Sequence, residues 1–433
     1  MLSGHRAQQL ALIATQALSE GSAFLRNVIL ARLIGADEMG LAVMLALVIR
    51  IFEMAGEMAL DRLLVQVGDR ELSSVRKAVH WLQLTKGALL TAVAILLAAP
   101  ICKSLNMALD PSIFALAALA LLIRGASNFD FRERQRRGEY VPALVVEGGS
   151  ALIAAIVCAP LAWALRDHSA LAWVLLVQAG VFCVLSHLFS SSPSRLGIDL
   201  ALFAPCLRYG GPITLNGALM FLALQGDRLV VSLFFPAAEL ARFALAAQLA
   251  LLPALIGARF LLDSEVPRFA RLAGQTEGFG EYHAALLYRV SLASLIGALG
   301  LGLGGNALIA WLYGDAYTVA PALLWLLAAG AGLRLIRAVP CTALMALERT
   351  QFLLFSNLPR LLTVALAFWA AAHGGGLTAV GVGLLGLLVV ADHEVVPGLL
   401  IRHYASANFE VRVCNPPQDV TGILRYQIEF PGL

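Results

Sequence analysis

Arg50, Glu53 and Glu57 stand three and four residues apart in the stretch GLAVMLALVIRIFEMAGEMALDRLLV, residues 40–65. On a helix that spacing puts all three on one face. The run around them is apolar and long enough to cross a bilayer, where an ionisable group costs a few kcal/mol at the centre unless it is sheltered. A guanidinium held there binds an anion through its paired N–H donors. A carboxylate beside it either holds the guanidinium in place or carries a cation such as H+ or Na+, and the residue types leave both roles open. Similar groups recur elsewhere. Gln9, Gln16, Glu20 and Asn27 fall roughly on one face of the first apolar run, with Arg26 beside them. Asn216, Gln225, Asp227 and Arg228 follow near the middle of the chain, and Arg334 and Arg337 lie three apart further on.

This is chemistry of binding and release. The chain has no G-x-x-x-x-G-K-[ST] to power it with ATP and no H-E-x-x-H. No large loop is present to house a nucleotide-sugar or acyl donor. The six cysteines show no paired or zinc-like spacing, most sit in apolar runs, and no metal or cofactor is expected. The eight histidines are scattered; only ADHEVVPG, 391–398, clusters one with acids.

The elements that must hold these groups are membrane helices. Of 433 residues 60% are hydrophobic and 14% charged, with a mean hydropathy of +0.81. A soluble protein of that balance could not cover its surface with polar groups. The net charge of +3 points to no nucleic-acid partner. Spans are predicted near 10–31, 40–64, 79–101, 112–129, 141–165, 170–190, 209–235, 240–262, 285–312, 317–340, 352–372 and 375–401. That makes an all-α integral membrane protein of about twelve helices. The first run is interrupted by Glu20 and Arg26 and is read as a retained helix rather than a signal peptide.

Basic residues set the orientation. With the N-terminus inside, the inner loops hold Arg70, Arg76, Lys77, Arg132, Arg134, Arg136, Arg137, Arg195, Arg208, Arg268, Arg271 and Arg349, and the outer loops little beyond Arg32, Lys103, Arg166 and Arg242. Both termini are expected in the cytoplasm. Of the 31 basic residues only Lys77, Lys86 and Lys103 are lysines, a bias that composition or phosphate recognition would produce.

ARLIGADEMGLAVMLAL, 31–47, aligns without gaps with SLFFPAAELARFALAAQ, 232–248, placing Ala36 on Ala237 and Glu38 on Glu239. An even number of helices separates the two, so the halves share one topology and form two parallel six-helix lobes. The expected organisation is a lobe at 1–190, a linker at 191–208, a second lobe at 209–402 and a polar, disordered tail at 403–433. Arg62, Arg124, Arg259, Arg289, Arg337 and Arg402, near predicted cytoplasmic ends, are read as snorkelling or internally paired groups. Glu20, Arg26, Arg50, Glu53, Glu57 and Arg228 are deeper and are expected to line a water-filled cavity between the lobes, one whose arginines favour an anion.

Three stretches carry a resemblance. FLRNVILARLIGADEMGLAVMLAL looks like the first-helix exit and second-helix entry of the Wzx-type polysaccharide and O-antigen flippases, in the multidrug/oligosaccharidyl-lipid/polysaccharide exporter superfamily. GDRLVVSLFFPAAELARFALAAQLALLP resembles their seventh-to-eighth helix region, and LIAWLYGDAYTVAPALLWLLA their ninth-to-tenth. The likeness runs over roughly residues 8–402; the tail after about 403 departs from it. It implies a non-enzymatic transporter of the bacterial inner membrane. Its substrate would be an undecaprenyl-pyrophosphate-linked oligosaccharide, moved by alternating access around a cationic cavity. The implied substrate-binding residues are Arg26, Asn27, Arg50, Gln225, Arg228 and Arg334. Glu20, Glu53, Glu57 and Asp227 would couple an ion, H+ or Na+, or pair with the arginines. Membrane lipids and polysaccharide polymerase or chain-length machinery would be its partners, and one chain would suffice. Two alternatives remain: a cation-coupled small-molecule antiporter of the same superfamily, with a more acidic cavity expected, and a membrane glycosyltransferase or polymerase, which would want a large outer loop. A lipid II flippase of the superfamily would have two further helices.

Overall fold

Single turn formers between apolar runs end one helix and start the next. In a computed structural model the described residues are 2–55, 72–104, 109–136, 138–190, 200–272, 276–347 and 358–382. Glu57, the tail 403–433 and most of the predicted last span lie outside them. Among the described residues there is no strand, and connections are short.

Helix α1 (Leu2–Leu33) and helix α2 (Ala36–Ala55) are parted by Ile34 and Gly35. Helices α3 (Leu72–Ser104), α4 (Pro111–Gly125) and the short α5 (Asp130–Arg136) follow. Then come α6 (Val141–Leu165) and α7 (Ser169–Leu188). The start of α4 is written locally: Pro111 occupies the first turn, where its missing N–H is no loss, and Asp110 caps it by accepting the Ser112 N–H at 2.8 Å. That bond holds the Asp110 carboxyl below the usual carboxylate range. Arg166, in the left-handed conformation with φ of 56°, closes α6.

The later helices are α8 (Leu200–Phe234), α9 (Ala237–Leu272), α10 (Thr276–Leu312), α11 (Pro321–Ala346) and α12 (Leu358–Ala372). Phe235 and Pro236 part α8 from α9. This break matches the one between α1 and α2 position for position, since Ala36 and its aligned partner Ala237 each open the next helix. Helix α8 starts earlier than its predicted span: residues 200–208, expected in the linker, form its first turns. Residues 191–199 lie outside the described set. The apolar run LALFAPCL simply continues into the span, and a spanning helix tolerates Pro205 and Gly210.

Backbone contacts divide the chain between Leu219 and Met220. Within the N-terminal unit α3 packs on α4, α4 on α7, α7 on α6 and α6 on α1, while α2 touches α1, α4 and α7. Within the C-terminal unit α11 packs against both α9 and α10. Large apolar side chains face outward: Leu96 is 77% exposed, Leu303 80% and Trp163 66%. Such surface would aggregate in water and is at home in hydrocarbon. Among the described residues six helices are long and apolar enough to cross a membrane. The chain is a multi-pass membrane protein.

Candidate functional site: a charged cavity in the N-terminal unit

Helix α2 carries Asp37, Glu38, Arg50 and Glu53 in 20 residues, too many charges for a helix that faces lipid on all sides. Its C-terminal end borders a cavity of about 560 Å3 within the N-terminal unit. Six elements supply that cavity's charged groups. Glu20 comes from α1, Arg50 and Glu53 from α2, Lys86 from α3, Arg124 from α4, Arg132 from α5, and Glu147 from a π-helical turn, Leu144–Gly149, inside α6. Four cations therefore face three carboxylates.

Glu53 accepts from two guanidiniums. Arg50, one turn before it, donates from Nη1 to Oε2 at 2.7 Å. Arg124 donates from Nη1 to Oε1 at 3.1 Å and so ties α4 to α2. On another wall Arg132 Nη2 meets Glu147 Oε1 at 2.5 Å. Phenyl rings hold the guanidinium planes: Arg124 lies over Phe182 at 5.2 Å and Arg132 over Phe131 at 5.4 Å, and the two rings meet edge to face at 6.0 Å. Phe129 completes this aromatic wall, packed on Phe131. Amides and hydroxyls fill the remaining polar surface. Gln16 donates to Glu20 at 3.3 Å, Lys86 donates to Gln83, and Ser19, Ser150 and Gln178 also line the space. Behind Gln178, Arg26 donates from Nη1 to its Oε1 at 3.1 Å.

Close helix packing makes room for these long side chains. Gly87 of α3 and Gly125 of α4 line the cavity and cross backbone to backbone. A Cβ on Gly125 would come within 2.7 Å of the Gln83 carbonyl oxygen and 3.0 Å of the Gly87 Cα.

The predicted residues fall into three groups. Glu20, Arg50 and Glu53 line the cavity, and Arg26 backs it through Gln178. Asn27 follows Arg26 on α1 and is half-buried. Gln225, Asp227, Arg228 and Arg334 belong to the C-terminal unit. There Arg228 donates to Gln225 Oε1 at 2.8 Å, and Asp227 accepts the Arg228 backbone N–H at 2.8 Å. Asp227 and Arg334 border a cavity of only about 40 Å3, otherwise walled largely by alanine and leucine.

The structure sharpens the reading of the cavity's other charges. Arg124, read as a snorkelling or internally paired group, is internally paired, bridging to Glu53 in the cavity; depth along one helix does not reveal which neighbour it faces. Arg132, counted as a loop charge, sits on the short helix α5 and lines the cavity. Glu147 drew no attention, although a carboxylate inside the apolar run VPALVVEGGSALIAAIV was a visible signal.

The family model described as "Polysaccharide biosynthesis protein" matches residues 29–322. The chain belongs to this polysaccharide biosynthesis family. Every cavity residue from α2 onward lies in the matched span. No curated protein matches the chain in sequence.

Among solved structures, this family member is similar to the lipid II flippase MurJ in an inward closed conformation. The TM-score is 0.72 at 13% identity, covering 98% of this chain and 94% of that one. It is also similar to an inward-facing multidrug resistance MATE transporter of the MOP superfamily, with a TM-score of 0.68 at 14% identity over 93% and 100% of the two chains. The Vibrio cholerae MATE transporter VcmN in its bent form gives 0.57 at 16% identity over 93% and 98%. At these identities the likeness establishes the transporter fold.

Proposed function

We propose that the protein is a flippase that moves undecaprenyl-pyrophosphate-linked oligosaccharide repeat units from the cytoplasmic to the outer leaflet of a bacterial inner membrane. The exported units would build O-antigen, capsule or exopolysaccharide. The observation that carries the proposal is the set of guanidiniums from α2, α4 and α5 around one cavity, Arg50, Arg124 and Arg132. Guanidinium forks match phosphate oxygens bidentately. A volume of about 560 Å3 suits a diphosphate with the first sugars attached. The amides of Gln16, Gln83 and Gln178 suit sugar hydroxyls, while the lipid tail stays in the bilayer. Transport proceeds by alternating access of two lobes in a single chain, with both termini in the cytoplasm. The flipped product is handed to polymerase and chain-length machinery. The family and the transporter fold support this reading over an enzyme that extends the glycan.

The test is the fate of lipid-linked glycan in cells lacking the protein, followed with an impermeant probe. Complete repeat units should accumulate on the cytoplasmic face. Units that reach the outer face at the normal rate would refute the proposal. A second reading, an antiporter of organic cations, draws on Glu20, Glu53 and Glu147 in the same cavity. It predicts drug hypersensitivity of the deletion strain with glycan export intact.

A further inference from the structure

The cavity's guanidiniums already have acceptors. Arg50 and Arg124 both donate to Glu53, from the same helix and from α4, and Arg132 is paired with Glu147. The Arg50 side chain is 54% exposed, so an anion can reach it from the open side. An arriving phosphate must compete for the N–H donors that the carboxylates hold. Once a bidentate anion takes those forks, the carboxylates lose their cations. A carboxylate without a cation inside a membrane is costly as an anion and much less so as a neutral acid.

We infer that Glu53 and Glu147 are internal counter-ions displaced by the anionic substrate, and that each displaced carboxylate binds a proton, making anion binding and proton uptake one event. This rests on the cavity being the anion site proposed above. The balance is simple. The proton comes from the water the cavity opens to and forms a carboxyl O–H; no other covalent bond changes. A doubly charged diphosphate diester that enters with two protons leaves the net charge of the site as it was. On release the guanidiniums return to the carboxylates, and the protons leave with the substrate.

The surroundings of Glu53 favour this exchange. Arg50 donates to it from α2 and Arg124 from α4, and Lys86 of α3, Arg132 of α5 and Glu147 of α6 line the same cavity. From α1 come Glu20, bonded to Gln16, and Arg26, which is turned to Gln178 of α7. Glu53 and Glu147 are the two cavity carboxylates that hold guanidiniums, so they are the two that an anion would displace.

The experiment is calorimetry of the full-length protein in nanodiscs, with dimethyl diphosphate carrying one methyl ester on each phosphate and a farnesyl diphosphate sugar ester as probes, diesters that hold no titrating proton near neutral pH. Each titration is run in two buffers of different ionisation enthalpy. The wild type should take up between about one and two protons per anion bound, and its affinity should rise as the pH falls. Glu53→Gln should lose about one of those protons and bind the dimethyl diester about tenfold tighter, because a neutral amide competes poorly for the guanidiniums. Wild-type binding without proton uptake would overturn the inference while leaving the anion site standing. So would a Glu53→Gln variant that binds more weakly with uptake unchanged. Failure of the wild type to bind either probe would instead sink the anion-site reading itself. The wild-type pH dependence needs no variant, so it decides the matter even where Glu53→Gln does not fold.

Discussion

In the N-terminal unit Glu53 joins guanidiniums of two helices beside about 560 Å3 of open volume; in the C-terminal unit Asp227 accepts the backbone N–H of its own neighbour beside about 40 Å3. The two units open on the same helix break, yet one spends its charges between elements and the other largely within one. A cross-helix polar cluster of the C-terminal unit lies where the end of α9 meets the start of α10. There Tyr282 donates to Glu265 at 2.5 Å, and Arg268 reaches both, beside the packed rings of Phe269 and Phe279. It closes a helix pair. A shared topology thus fixes where helices start and stop, and leaves open whether their polar groups bind ligand or bind each other.

The largest effect that would sharpen this contrast is on folding. Gly125→Ala puts a methyl against backbone on two sides and should cost about 3 kcal/mol of stability. Gly226→Ala in the C-terminal unit meets the side chain of Val364, its methyl groups at 2.7 and 2.8 Å, and no backbone among its nearest atoms, and should cost about 1 kcal/mol. Melting of both variants in detergent measures the difference, and equal losses would remove the special role given to the crossing of α3 and α4.

Next comes transport. Arg124→Ala strips Glu53 of one cation and the cavity of one anion ligand, so export should fall more than tenfold at normal protein abundance. Arg334→Ala, beside the small cavity, should lower export by less than about threefold, since a volume near one water-sized site admits no phosphate. Surface-polysaccharide assays normalised to immunoblots would check both. A reversed order would move the site to the C-terminal unit.

The smallest effect lies outside the bilayer. The Asp110 carboxyl, held below its ordinary range by the Ser112 N–H, contributes stability that is present above the unfolded carboxylate's range, near pH 3.9, and fades as the pH falls through the lower folded value. Asp110→Asn keeps an acceptor at the cap and should flatten that acid dependence while changing the melt at neutral pH only slightly. Unchanged acid sensitivity in the variant would assign it to other carboxylates.

What could be read in the chain follows from the same contrast. Helix positions were legible because each span is an apolar run ended by glycine, proline or a polar turn, and the aligned starts at Ala36 and Ala237 are both observed. Arg50 and Glu53 stood out because mid-span charges one turn apart demand shelter. Arg124, Arg132 and Glu147 did not, because their meaning depends on which helix lies opposite, and spacing along one chain segment carries no such information. The expected cavity between lobes concerns how the two units are arranged, whereas the charged cavity described here is lined by residues of the N-terminal unit.

The wide turn at Leu144–Gly149 has a consequence of its own. A π-helical turn holds one residue more than its α-helical counterpart, and each residue of a helix is worth about 100° of rotation. The sequence of helix α6 is therefore out of phase with itself across the turn. Around the turn Glu147 reaches Arg132 while Gly148 lies flush against Leu18 of α1. Further along, the helix winds regularly and shows Trp163 to the outside. Deleting one residue of the turn would let it wind as an ordinary α-helix, leaving the downstream lipid face where it is and moving the Glu147 carboxylate away from Arg132. Point substitution changes what a side chain is. The extra residue changes where one stretch of side chains looks, and the wider turn leaves the rows on either side as they were.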